Sequence, residues 1–171
     1  MVTEVDHHAI KTRIMDILKA DPNTYDSSGT PNRLVDIFVG RPYANNLSAH
    51  PTPFCFIANE DNLEEQEPEA VVEGSAVQAT KHECFYLICM VDDAQDGRAV
   101  EKLLDDLGKQ VMQTLKAEFE LRNPTDDTDP KCSWSFPERV SVFEASQNGM
   151  PIQGRAIHFK AIVHTLSLIH I

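Results

Sequence analysis

Apolar residues recur along this chain at two periods, and each period assigns its own elements. Ile10, Ile14, Ile17 and Leu18 fall on one helical face, which predicts a helix over residues 3–20. Thr3 or Asp6 supplies a capping oxygen for its first turn. Asp21-Pro22 ends it, because proline disfavours helical geometry in the residue before it. A second helix over 98–119 has the clearer pattern. Val100, Leu103, Leu104, Leu107, Val111 and Leu115 line one face, Asp96 is placed to cap it, and Asn123-Pro124 closes it.

The remaining apolar runs have strand character. Residues 34–39 and 53–58 predict two short strands, separated by Gly40-Arg41-Pro42 and a polar stretch. Residues 70–91 read as a hairpin turning near Gly74-Ser75, or as one long bent strand. In its second half Phe85, Leu87, Cys89 and Val91 share one face, and Tyr86, Ile88 and Met90 share the other. Both faces are apolar, whereas a sheet with one face in water alternates apolar with polar. This strand is therefore expected to be covered twice, by a helix on one side and by the chain's own loops or a neighbouring subunit on the other. Tyr86, Ile88 and Met90 become candidate subunit-interface residues. Residues 139–145 and 155–166 predict the last two strands around Asn148-Gly149, both of which tolerate positive φ. In the final strand Ile157, Phe159, Ala161 and Val163 face one way; His158, Lys160, Ile162 and His164 face the other.

The expected order is helix, two short strands, hairpin, helix, hairpin. It predicts one α+β domain over 1–171, an antiparallel sheet with two helices packed on one face. Loops are expected near 21–32, 41–52, 59–69 and 123–131.

Composition narrows the function classes. A chain of 171 residues with 42% hydrophobic residues can build one core, and no apolar run approaches the ~20 residues of a membrane span. The first residues lack a basic stretch followed by an apolar one, so the reading is of a protein used in a cytoplasm. The formal net charge is −12. Much of it falls in an acidic stretch with Glu60, Asp61, Glu64, Glu65, Glu67 and Glu69, expected as an exposed loop. With no cationic footprint, tight nucleic-acid binding is disfavoured.

Candidate chemistry is sparse. Cys55, Cys84, Cys89 and Cys132 form no CxxC pair and sit in mostly apolar surroundings, which predicts buried, reduced thiols. His158 and His164 share a strand face but stand about 20 Å apart, too far for one metal. Asp126, Asp127 and Asp129 lack the central glycine and terminal glutamate of a calcium loop. Cys84 and His82 could form a dyad, but burial beside Phe85 and Tyr86 would leave the thiol inert. No catalytic, cofactor or metal residue is assigned.

Read in order, the elements resemble the tail terminator proteins of long-tailed bacteriophages. The resemblance lies in the first helix ending IMDILKAD, the aromatic strand PFCFIA with an acidic stretch after it, and the strand HECFYLICMV running into the helix GRAVEKLLDDLGKQVMQTL. It ends with SQNGMPIQGRAIHFKAIVHTL, a turn entering a closing strand. The resemblance implies a non-catalytic ring, a hexamer, that caps the tail tube and joins it to a neck or head-connector protein. Such a ring is made in the host cytoplasm and carried in the virion, and DNA can pass through it. Neck proteins that join head to tail share the layout and are the alternative. Two other classes stay open: a small enzyme using Cys84 and His82, and an acidic adaptor binding a basic partner through 60–73.

Overall fold

The computed structural model describes residues 6–41, 51–72, 76–92, 97–147 and 150–168, with the backbone alone for 60–72, 76–92, 97–98, 143–147, 150–151 and 165–168. Its elements are α1 (His7–Ala20), β1 (Asp36–Val39), β2 (Phe54–Val72), β3 (Ala76–Asp92), α2 (Gly97–Ala117), β4 (Trp134–Gln147) and β5 (Met150–Leu168). All five strands form one sheet in the order β1-β2-β3-β5-β4.

Both helices arise where the apolar period predicts them. Asp6 caps α1, accepting a hydrogen bond from the Ala9 N–H at 2.9 Å. The Asp96 cap expected for α2 and the Asn148-Gly149 turn lie outside the described residues, as do Gly74-Ser75 and most of the loop expected over 41–52. β2 and β3 nonetheless pair up to Val72 and Ala76, and β4 and β5 up to Gln147 and Met150, so each pair is a hairpin.

Three expectations about the sheet need correction. The fold is α+β, but the sheet is mixed: β1 pairs with β2 in parallel, Asp36 opposite Phe54 through Val39 opposite Ile57. Residues 40–53 are long enough for the crossover a parallel pair needs. Secondly, the order is helix, three strands, helix, two strands. The short strand at 53–58 and the first arm of the expected hairpin are one element, β2. Thirdly, the acidic stretch with Glu60, Asp61, Glu64, Glu65, Glu67 and Glu69 is not a loop but the middle of β2. Its backbone pairs with β3, with register shifts between Asn59 and Glu64 and between Pro68 and Val71. Ladder hydrogen bonds come from backbone groups, so a charged run extends a strand wherever a neighbour supplies the ladder. The loops expected near 21–32 and 123–131 contain turns and bends and neither helix nor strand of the sheet.

The helices cover one face of the sheet. Ile10, Ile14, Ile17 and Leu18 of α1 and Val100, Leu104, Leu107, Val111 and Leu115 of α2 are buried with Ile37, Cys55, Ile57, Ile157, Phe159, Ala161 and Val163. The alternate strand positions build a second cluster on the opposite face, from Phe54, Phe56, Ala58, Ile152 and Ala156, with Phe38 packed against it. Phe38 stacks on Phe54 and on Phe56, with ring centroids 5.7 and 6.1 Å apart.

Polar fasteners hold the connections onto the helices. Arg13, buried on α1, donates from Nη1 to the carbonyls of Leu121 and Asp129, and from Nη2 to the Asp129 carboxylate at 3.0 Å. This ties the turn after α2 to the first helix. Asp21, just past α1, accepts from the Thr114 hydroxyl of α2 at 2.6 Å and from Thr24 at 3.1 Å. Burial pulls the Asp21 carboxyl upward, but hydrogen bonds from Thr114, the Asn23 N–H, Thr24 and Gln110 together outweigh it, and its pKa falls below 3.8.

Two outcomes follow from this packing. Leu104→Ala should cost about 2–5 kcal/mol of stability in urea unfolding, because Leu104 is fully buried between the helical layer and the sheet. Asp21 should contribute stability that is fully present above its unfolded value of 3.8 and lost as pH falls through its lower folded value. Acid unfolding of Asp21→Asn should accordingly be less pH-dependent below pH 4 than that of the wild-type protein.

Candidate functional site: the open edge of the sheet

The candidate interface strand turns out to be central. β3 pairs with β2 on one side and β5 on the other. By register Tyr86, Ile88 and Met90 stand opposite Ala58, Phe56 and Phe54 of β2, and opposite His158, Ala156 and Gly154 of β5. They therefore belong to the helix-free face. Their neighbours there are closed off within the single chain: Phe54 is 0%, Phe56 5% and Ala156 6% exposed.

The exposed apolar side chains lie elsewhere. Among the described residues the large ones are Phe119, Trp134, Val140 and Val142. Three of them are on β4, and the fourth packs its ring on Trp134 with centroids 4.6 Å apart. β4 is an edge strand. Its first half is anchored: Ser135 is buried and donates to the Phe119 carbonyl at 2.8 Å, and Pro137 precedes a register shift before Arg139. In its second half Val140 and Val142 stand opposite Ile157 and Arg155 of β5. Those β5 positions face the helices, since Ile157 belongs to the main core and Arg155 donates to Asp105 of α2 at 3.0 Å. Val140 and Val142 thus lie on the helix-bearing face but past the cover of α2, 42% and 68% exposed.

The sheet has a second long edge with the opposite chemistry. β1 stops opposite Ile57; beyond it Arg41 donates to the Asn59 carbonyl at 3.0 Å, and among the described residues no strand pairs with the outer side of β2 there. That stretch carries six carboxylates (Glu60, Asp61, Glu64, Glu65, Glu67 and Glu69), Pro68 and two register shifts. Charge, proline and irregular register are the features that keep an edge from pairing with a foreign strand. The Val140–Val142 segment of β4 has none of them.

Groups with possible chemistry are used structurally. Ser141 Oγ and His158 Nε2 are 3.0 Å apart, a contact that fastens β4 to β5 with the imidazole buried and the serine exposed. His164, six residues on, is exposed. Cys55 and Cys132 are buried free thiols. Burial pushes the Cys132 thiol up to about 12, and its sulfur donates to the Phe119 carbonyl at 3.4 Å. The side chains of His82, Cys84 and Cys89 lie outside the described residues. Asp129 of the acidic knot is paired with Lys131 and Arg13, which hold its carboxyl below the usual range. Among the described residues no three His, Cys, Asp or Glu side chains come together as a metal site, and no helix is long and apolar enough to cross a membrane.

Sequence reasoning missed the exposed valines and the Ser141–His158 contact. The pattern Val-Ser-Val marks alternation but carries no sign of which strand has an open side. No protein-family model matches the chain, and no curated protein matches it.

The Cys132 environment has a direct test. With a thiol pKa of about 12, only on the order of one chain in 100,000 carries the reactive thiolate at pH 7. Alkylation of the native protein followed by peptide mapping should leave Cys132 unmodified until denaturant is added.

Proposed function

We propose that the chain is a structural assembly protein, the tail terminator of a long-tailed bacteriophage, which closes into a hexameric ring, caps the tail tube and joins it to the neck. One observation carries the assembly reading: the exposed large apolar side chains of the described residues are gathered along a single sheet edge. Val140 and Val142 lie together on the helix-bearing side of that edge, and exposed apolar surface of this kind supports a contact with another macromolecule. The phage assignment rests on the resemblance in element pattern. Nothing in the reading requires bond chemistry. A ring forms when a head-to-tail contact between identical chains closes on itself. Tube growth then stops because the outer ring face offers no surface for the next tube ring.

Charge suits a passage for DNA. Six copies at −12 each carry 6 × −12, about −72 in total, a field that repels phosphates and lets DNA pass without sticking. The ring would be made in the host cytoplasm and retained in the virion, against a tail tube protein on one side and a neck or head-connector protein on the other.

The purified protein should sediment as a ring-sized oligomer, and phage lacking it should build tails of uncontrolled length. Tails of normal length that fail only to join heads would replace the terminator reading with that of a neck protein.

A further inference from the structure

We infer that the Phe119–Trp134 corner, where the chain leaving α2 meets the start of β4, docks a basic segment of a different protein and seats one of its arginine side chains on the Trp134 ring. The inference rests on the reading of this edge as a contact with another macromolecule, and not on closure of a ring.

The corner is apolar, exposed and firmly held. The two ring centroids are 4.6 Å apart, with the planes tilted by 40°, and Phe119 is 38% and Trp134 50% exposed. The backbone beneath them is fastened twice. The Phe119 carbonyl accepts from the Ser135 hydroxyl at 2.8 Å and from the Cys132 thiol at 3.4 Å. The Glu120 carbonyl accepts from the N–H groups of Lys131 and Cys132 at 3.1 and 3.4 Å. A ring pair on a fixed backbone loses little freedom when a partner arrives. Tryptophan and arginine are both enriched among the energetic anchors of protein contacts.

Charge names the occupant. Residues 118–134 carry five carboxylates against two cations, Arg122 and Lys131. Arg13, reaching in from α1 to Asp129, leaves the surplus negative. The imbalance is sharpest at Arg122. Its Nε meets Glu120 Oε2 at 2.6 Å, and the charges of Asp127 and Glu118 bear on the same guanidinium, so three carboxylates share one cation. An incoming cation is attracted to this corner and a phosphate is repelled. Among cations the guanidinium suits it. It is planar and weakly hydrated, lies flat on an indole face, and keeps donors free for a carboxylate alongside. An ammonium group is more strongly hydrated and gains less there.

Trp134 is the single tryptophan of the chain, so its fluorescence reads this corner alone. Titrating the full chain with a blocked peptide of alternating glycine and arginine should change the emission saturably, and added salt should weaken the binding. The same peptide with citrulline for arginine keeps the shape without the charge and should give no response; the lysine version should give a weaker one. Followed through a label on the peptide, Trp134→Ala should bind about tenfold more weakly. Glu118→Gln should also bind more weakly, with a flatter salt dependence, and it keeps the ring pair intact should Trp134→Ala lower the urea midpoint. An equal response to the citrulline peptide would overturn the arginine seat, as would Trp134→Ala and Glu118→Gln proteins that both bind like the wild type. Emission of a shielded indole that becomes solvent-exposed on dilution would overturn the foreign partner in favour of a second copy of this chain. A wild-type protein that is monomeric in sedimentation yet binds the arginine peptide would overturn the ring and support this seat.

Discussion

Helix α2 lying across β5 is the contact on which the rest of the molecule depends. Leu104, Leu107, Val111 and Leu115 are buried in the same cluster as Ile157, Phe159, Ala161 and Val163. The Arg155–Asp105 pair adds a polar anchor, with the arginine buried and the carboxylate largely in solvent. Because α2 sits over the inner strands, α1 can pack beside it, and Arg13 can reach the turn that follows α2. The same placement leaves Val140 and Val142 of β4 uncovered. The exposure of Val140 and Val142 is thus a consequence of where the helical layer stops.

The sheet manages its open sides in two ways. On the β2 side, carboxylates, a proline and register shifts make a poor template for another strand. On the β4 side, Pro137 and the neighbouring register shift protect only the first half. The two edge strands, β1 and β4, run in opposite directions. The strong net negative charge works against unspecific association.

Burial on the helix-free face changes the meaning of the doubly apolar strand. By register its two faces stand beside the two clusters of the sheet, and on the helix-free face Phe54, Phe56 and Ala156 are shielded within one chain. The polar groups follow the same logic of internal use. Asp21, Thr24 and Thr114 bind the end of α1 to α2, Ser141 and His158 join two strands, and Cys132 is held against a backbone carbonyl. Each of these has a structural partner within the chain.

The amino-acid pattern by itself determined the two helices, the strand character of the apolar runs and the α+β class, because helical and strand periods are written in residues close in sequence; it left the cap of the first helix open between Thr3 and Asp6, and the structure places it at Asp6. It also identified the two opposed faces of β3. Tertiary structure alone decided that β1 joins in parallel, that β2 runs on through its acidic residues, and that β3 is central while β4 is an edge. Those features depend on backbone ladders between residues distant in the chain. Backbone groups are the same at every position, so side-chain alternation tells a strand which way to face without naming its neighbour. Val140 and Val142 illustrate the difference: their alternation is visible in the sequence, but their exposure depends on β4 being an edge, with no strand or helix among the described residues beyond them.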